Sequence, residues 1–115
     1  YWLLPYLTAF QMITWFIELS EHYPMIQTAK NNLEASRNRF SHAIEHFFTG
    51  IHGENYHLIH HLFPAIPFWN LEKAHKILMK DFDYQEVNKD FGGIFFSKNN
   101  NAPMWKVLWS KYEAA

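Results

Sequence analysis

The stretch NYHLIHHLFPAIP, residues 55–67, places histidines at positions 57, 60 and 61. Positions i, i+3 and i+4 lie on one face of a helix, so this spacing predicts a helix with three imidazoles on one side. Neutral imidazole is a common protein ligand of iron, zinc, copper and nickel. Surface histidines are the alternative, but the apolar residues between and after them favour a buried cluster. His57, His60 and His61 are therefore the first candidate metal ligands.

The amino-acid composition limits the class of protein to which this stretch can belong. The 115 residues make about one domain, and 49% of them are hydrophobic, 19% aromatic and only 18% charged. The absence of cysteine excludes disulfide scaffolds, thiol nucleophiles and cysteine-containing zinc sites. A formal net charge of -1 gives no electrostatic footprint for nucleic acid, so we expect no such partner. Histidine is the unusual residue, with seven of the eight lying between His22 and His61.

The chain begins with an apolar run: residues 1–17 carry no charged side chain. A membrane-spanning helix needs roughly 20 such residues, so the run predicts a transmembrane helix, which we place at residues 1–22. A buried helix of a soluble core is the alternative. His22, at the polar end of this helix, is the fourth candidate ligand. Glu18 lies one turn earlier and is expected to accept the other imidazole N–H of His22.

The rest of the chain predicts short helices, and the fold class is all-α. A helical stretch is expected before the stop at Gly50, a second helix after the cap Asn70, and a last one from Pro103. Residues 27–41 are polar and include three basic side chains, so they predict a connection exposed to water.

His42 and His46 form a second pair at i, i+4, in the segment HAIEH. The spacing is competent for metal chelation. The segment lacks the second-position glutamate of a zinc metalloprotease, because Ala43 stands there. We therefore expect this pair either to have a structural role or to support a metal ligand, rather than to bind metal itself, and we assign no role to His52.

The residues from Asn55 to Pro67 closely resemble the third histidine box of the integral-membrane fatty acid desaturases, which follows the pattern NYHxxHHLFPxxP. Upstream, Glu18 to Pro24 is similar to the EHY segment of that family, in which the last membrane helix supplies one further histidine. The two motifs occur in the family's order, after an apolar run. The resemblance covers roughly residues 1–80.

The resemblance implies the C-terminal part of a helical membrane enzyme. Residues 1–22 would be the last transmembrane helix, residues 23–80 a cytosolic helical cap with the third histidine box, and residues 81–115 a tail. Two non-haem irons would be held at the cytosolic face, with zinc possible in purified protein. The ligands that this chain would contribute are His22, His57, His60 and His61.

The resemblance also implies a reaction and partners. Enzymes of this family use dioxygen and electrons from an external donor, of the cytochrome b5 or ferredoxin type, to remove two hydrogens from a lipid acyl chain. A related hydroxylase, ketolase or epoxygenase would use the same ligands. The family's first two boxes, HxxxH and HxxHH, should precede the last membrane helices, and the chain begins after them at Tyr1. We therefore expect these residues alone to be inactive.

Two hypotheses from other classes stay open at this point. One is a small soluble helical module that binds metal through a set of five histidines: His42, His46, His57, His60 and His61. The other is a truncated gene product without activity.

Overall fold

The computed structural model describes residues 1–89, 91–98 and 100–113, without the side chains of residues 111 and 112. Its elements are helices, as the sequence predicts. They are α1 (Leu3–Pro5), α2 (Gln11–His22), α3 (Ala43–Thr49), α4 (His57–Leu62), α5 (Leu71–Leu78), α6 (Phe82–Val87) and α7 (Met104–Glu113), with 3-10 turns at Met25–Gln27, Ile51–Tyr56 and Phe68–Asn70. Within the described ranges there is no strand, and extended pairing is limited to a bridge between Ser41 and Ser97.

The apolar N-terminal run forms helical backbone from Leu3 to His22, but it is divided. A π-helical segment, Tyr6–Phe10, separates α1 from α2. Among the described residues, no helix combines the length and the apolar character needed to cross a membrane. The predicted helix at residues 1–22 is thus present as helical backbone from Leu3 to His22, and its position in a membrane stays a prediction.

The apolar core is small and lies between α4, α5 and α6. Its buried members are Leu58, Ile59, Leu71 and Tyr84. α5 turns Leu71, Ala74 and Leu78 toward this core, as its i, i+3, i+7 pattern predicts. Because Leu58 and Ile59 anchor α4 in the core, the orientation of its histidines is fixed.

Most of the buried residues in the described ranges are polar, and four of them are consecutive, residues 36–39. Ser36, Arg37, Asn38 and Arg39 are each at most 3% exposed. The prediction that residues 27–41 are exposed throughout was therefore wrong for this part. The arginines are buried because distant groups satisfy them: Arg37 donates to the carbonyls of Ser20 and Tyr23, and a buried charge needs such partners.

Candidate metal centre

Three histidines from two helices converge on one point. His22 is the last residue of α2, and His57 and His61 lie one turn apart on α4. The Nε2 atom of His57 lies 2.9 Å from Nε2 of His22 and 2.9 Å from Nε2 of His61. The structure therefore brings together three of the four predicted ligands, from segments separated by 35 residues at His22 and His57.

Acceptor oxygens lie beside the outer nitrogen, Nδ1, of two of these rings. His22 Nδ1 lies 3.0 Å from the carbonyl oxygen of Ala35, and because a carbonyl only accepts, Nδ1 is the donor. His57 Nδ1 lies 3.1 Å from Oε2 of the carboxylate of Glu21. In the neutral His22 ring the proton on Nδ1 leaves a free lone pair on Nε2, pointing at the common centre, and the carboxylate beside Nδ1 favours the same tautomer in His57.

Burial and neighbouring imidazoles favour the neutral form of His57 and His61. Burial lowers the pKa of His57 to about 3, with further lowering from the neighbouring His61, His22, His60 and Arg39. The pKa of His61 is lowered by burial and by His22 and His60. Neutral imidazole is the form that binds a metal, so no proton has to be removed from these rings first.

The geometry fits a bound transition metal. Metal–nitrogen bonds of about 2.0–2.1 Å place neighbouring ligand nitrogens about 2.9–3.4 Å apart, for octahedral to tetrahedral angles. The observed 2.9 Å spacing lies at the start of this range. Two lone pairs that face one another at this distance repel, and either a proton on one nitrogen or a metal cation between them removes the repulsion. An all-imidazole set suits iron or zinc.

His60 does not join the converging set. Its ring is exposed, with its centroid 6.4 Å from that of His57 and 6.1 Å from that of His61. It lines a shallow cavity of about 320 Å3 together with Glu18, Glu54 and His57. Its assignment as a ligand stays a prediction.

The predicted partner of His22 was wrong. Glu18 Oε2 lies 3.7 Å from Nε2 of His22, on the side that faces the centre. The carbonyl of Ala35 occupies the place at Nδ1 that we expected Glu18 to fill. The loop after α2 folds back beside the ring, and this return cannot be seen in the spacing along the helix.

The HAIEH segment has a structural role that the sequence does not specify. The buried carboxylate of Glu45 accepts hydrogen bonds from the backbone N–H groups of Ile94, Phe95 and Phe96 and from the hydroxyl of Ser41. Burial alone would raise the pKa of Glu45, but these hydrogen bonds outweigh it and hold the pKa below the ordinary value. The segment therefore anchors the C-terminal tail.

The histidines of that segment stay apart from the centre. His42 and His46 line a different cavity, of about 670 Å3, together with His52. Among the described residues, neither belongs to a group of three or more potential metal ligands. The structure thus does not bring together the five histidines that the soluble-module hypothesis requires.

Sequence comparison identifies the family of this chain. Residues 1–91 match the family model described as fatty acid desaturase. The chain belongs to the fatty acid desaturase family. The matched range includes all four predicted ligands of this desaturase family member, so the resemblance seen in the motifs is confirmed.

A named relative supports the same assignment. The chain is 44% identical over 103 residues, or 90% of its length, to a protein named dihydrorhizobitoxine desaturase from Bradyrhizobium elkanii. The aligned part spans 29% of that relative's length. No solved structure matches the chain significantly.

Two residues of the centre, Glu21 and Arg39, were not predicted from the sequence. Glu21 lies next to His22 in the sequence, and its position beside a candidate ligand was the available signal. Arg39 carries no such signal, because its carboxylate partner is 18 residues away. Both side chains are at most 2% exposed.

Proposed function

We propose that this chain supplies part of the metal centre of an oxygen-dependent membrane desaturase that introduces a double bond into an acyl chain. The convergence of three Nε2 atoms, with acceptor oxygens beside Nδ1 of His22 and His57, carries this proposal. Family membership supports desaturation as the class of reaction.

The proposed centre contains two irons, which when bound supply the dioxygen chemistry needed to remove two hydrogens from unactivated carbons. Within this chain, His22, His57 and His61 hold one metal position. His60 projects away from them and is assigned to the second position, with the remaining ligands assigned to the family's other histidine boxes. The 115 residues alone are accordingly expected to be inactive.

The proposed location is a membrane, with the histidines at its cytosolic side. Supporting this, the N-terminal helical stretch exposes large apolar side chains. Leu3, Leu4, Leu7, Met12 and Trp15 are each at least 65% exposed. Exposed apolar surface of this extent is typical of contact with lipid or with other helices. We propose lipid as its partner, and an external electron donor of the cytochrome b5 or ferredoxin type as the source of electrons.

A second substrate class is favoured by the named relative. Its printed name gives dihydrorhizobitoxine as its substrate, and it shares 44% identity with this chain. A dihydrorhizobitoxine-like small molecule is therefore the alternative to an acyl lipid.

Product analysis of the full-length protein tests both substrate classes, the acyl lipid and the small molecule. Expressed in a host with a competent electron donor, it should generate a new unsaturated acyl chain in the lipid fraction, detected by mass spectrometry. The His61→Ala variant should generate none, while His42→Ala should match the parent. A desaturated dihydrorhizobitoxine-like product without a new acyl product would favour the alternative, and equal products from parent and His61→Ala would contradict both.

A further inference from the structure

One carboxylate lies between the metal-facing histidines and the buried polar core. Glu21 lies in the last turn of α2, immediately before His22, and its side chain is 1% exposed. Its two oxygens have different neighbours. Oε1 accepts a hydrogen bond of 2.7 Å from Nε of Arg39, and Oε2 lies 3.1 Å from Nδ1 of His57.

Arg39 is itself held in one orientation. Its Nη1 donates to the hydroxyl of Thr49 at 3.0 Å, and its Nη2 donates to the carbonyl of the same residue at 2.7 Å. Thr49 is the last residue of α3. The planar guanidinium thus contacts α3 with one edge and Glu21 with another, and its fixed fork leaves it little rotational freedom.

This contact leaves Oε2 of Glu21 available for the histidine. Oε2 is buried and, within the part of the chain that the structure describes, has no hydrogen-bond partner of good geometry, although Nδ1 of His57 lies beside it. A carboxylate that faces Nδ1 of a ligating histidine fixes the tautomer and the orientation of the ring. The histidine can then present Nε2 to a metal only while the carboxylate keeps its own orientation.

We infer that Arg39 is a positioning residue of the metal centre, because it holds Oε1 of Glu21 so that Oε2 faces His57 Nδ1. This inference rests on the metal site proposed above. It extends the centre from α2 and α4 to α3 and to the buried segment of residues 36–39. Arg39 touches neither metal nor substrate and acts through Glu21.

A double-mutant cycle on metal affinity tests this inference. The full-length protein is purified, and Zn2+ binding is measured by competition with a chromogenic chelator. Loss of a group that supports a ligating histidine typically weakens binding about 10- to 100-fold, and we expect this for both Arg39→Met and Glu21→Gln. Because Arg39 acts through Glu21, the double variant should bind Zn2+ no more than about 3-fold more weakly than Glu21→Gln alone.

Two further variants separate positioning from general destabilisation. Tyr84→Phe removes a buried hydroxyl that accepts from Asn38 and lies 2.9 Å from Nδ1 of His75, so it perturbs the same polar core away from the three converging histidines. It should lower the thermal midpoint with Zn2+ affinity unchanged. Arg39→Lys keeps the cation without the fork and should weaken binding by less than Arg39→Met. If Arg39→Met does not fold, Arg39→Lys takes its place in the cycle, with a loss of about 3- to 10-fold.

The outcomes distinguish this inference from the proposed site. Parent-like affinity in Arg39→Met, while His57→Ala loses Zn2+, would overturn the role of Arg39 and leave the site standing. Losses that multiply in the double variant would also overturn it, because they would show independent effects. Parent-like affinity in His57→Ala would instead contradict the metal site itself.

Discussion

His57 and His61 on α4 differ in fate from His42 and His46 beside and within α3, although both pairs have i, i+4 spacing. The first pair converges with His22 at 2.9 Å. The second pair meets no third ligand among the described residues and lies beside a carboxylate that binds the tail. Spacing therefore permits chelation but does not produce it.

Two features separate the pairs. A third ligand, His22, reaches the first pair from another helix, and a carboxylate faces the outer nitrogen of His57. At the second pair the carboxylate of Glu45 is used by the backbone N–H groups of residues 94–96. The neighbour of the outer ring nitrogen thus matters as much as the position of the histidine in the helix.

The largest expected effect on Zn2+ binding comes from a substitution in the first pair. His57→Ala removes the nitrogen that lies between the other two, so Zn2+ binding to the full-length protein should weaken by more than about 100-fold, beyond the loss of any supporting group. His42→Ala is the matched control and should bind as the parent does. Chelator competition and bound-metal analysis measure both. Equal losses in the two variants would remove the distinction between the pairs.

The next largest effect is expected when the hydrogen bonds of Glu45, beside the second pair, are disrupted. Glu45→Gln replaces an acceptor-only group with one that has a single acceptor, so some N–H groups of residues 94–96 lose their partner. We expect a loss of about 2–3 kcal/mol in local stability, and faster amide exchange at these positions. Glu86→Gln, on an exposed carboxylate, controls for the change of charge. Unchanged exchange at residues 94–96, or weaker Zn2+ binding in Glu45→Gln, would contradict a purely structural role for this segment.

A pH dependence should accompany that anchor. The pKa of Glu45 is lowered in the folded state, so its stabilising contribution is present in full above the unfolded value of 4.5 and is lost as the pH falls through the lower folded value. Amide protection at residues 94–96 should therefore decline in acid. In Glu45→Gln this component of the decline should be absent. Protection that falls identically in both proteins would argue against Glu45 as its source.

The smallest effect belongs to His46→Ala. The ring is exposed and packs against Gly50, whose added Cβ would lie 2.7 Å from Cε1 of this ring. Removal of an exposed side chain should change stability by no more than about 0.5 kcal/mol, with Zn2+ affinity unchanged. Calorimetry and chelator competition measure the two quantities. A large loss of metal would assign this pair to a metal site after all.

Local pattern predicted much of this architecture. The helix at Leu71–Leu78 follows from its apolar stripe, and its Glu72–Lys76 pair forms at 2.7 Å. The last helix begins directly after Pro103, at Met104, as expected. These features depend on neighbours within four residues, which the sequence displays.

Features that depend on distant partners were not predictable in this way. Burial of Arg37 and Arg39 depends on acceptors 10 to 18 residues away. The divergence of His60 has a geometric cause: with about 100° per residue, positions i+3 and i+4 lie on opposite sides of position i. A ligand that approaches from the side of position i+4 therefore meets His57 and His61 but not His60. His22 lies on that side.

The location of a bound metal tests the central claim most directly. Zn2+-loaded full-length protein, studied by diffraction at the zinc absorption edge, should show an anomalous peak about 2.0–2.2 Å from Nε2 of His22, His57 and His61, with none at His42 and His46. A peak bound by His42 and His46, or no peak at the three converging nitrogens, would contradict the account.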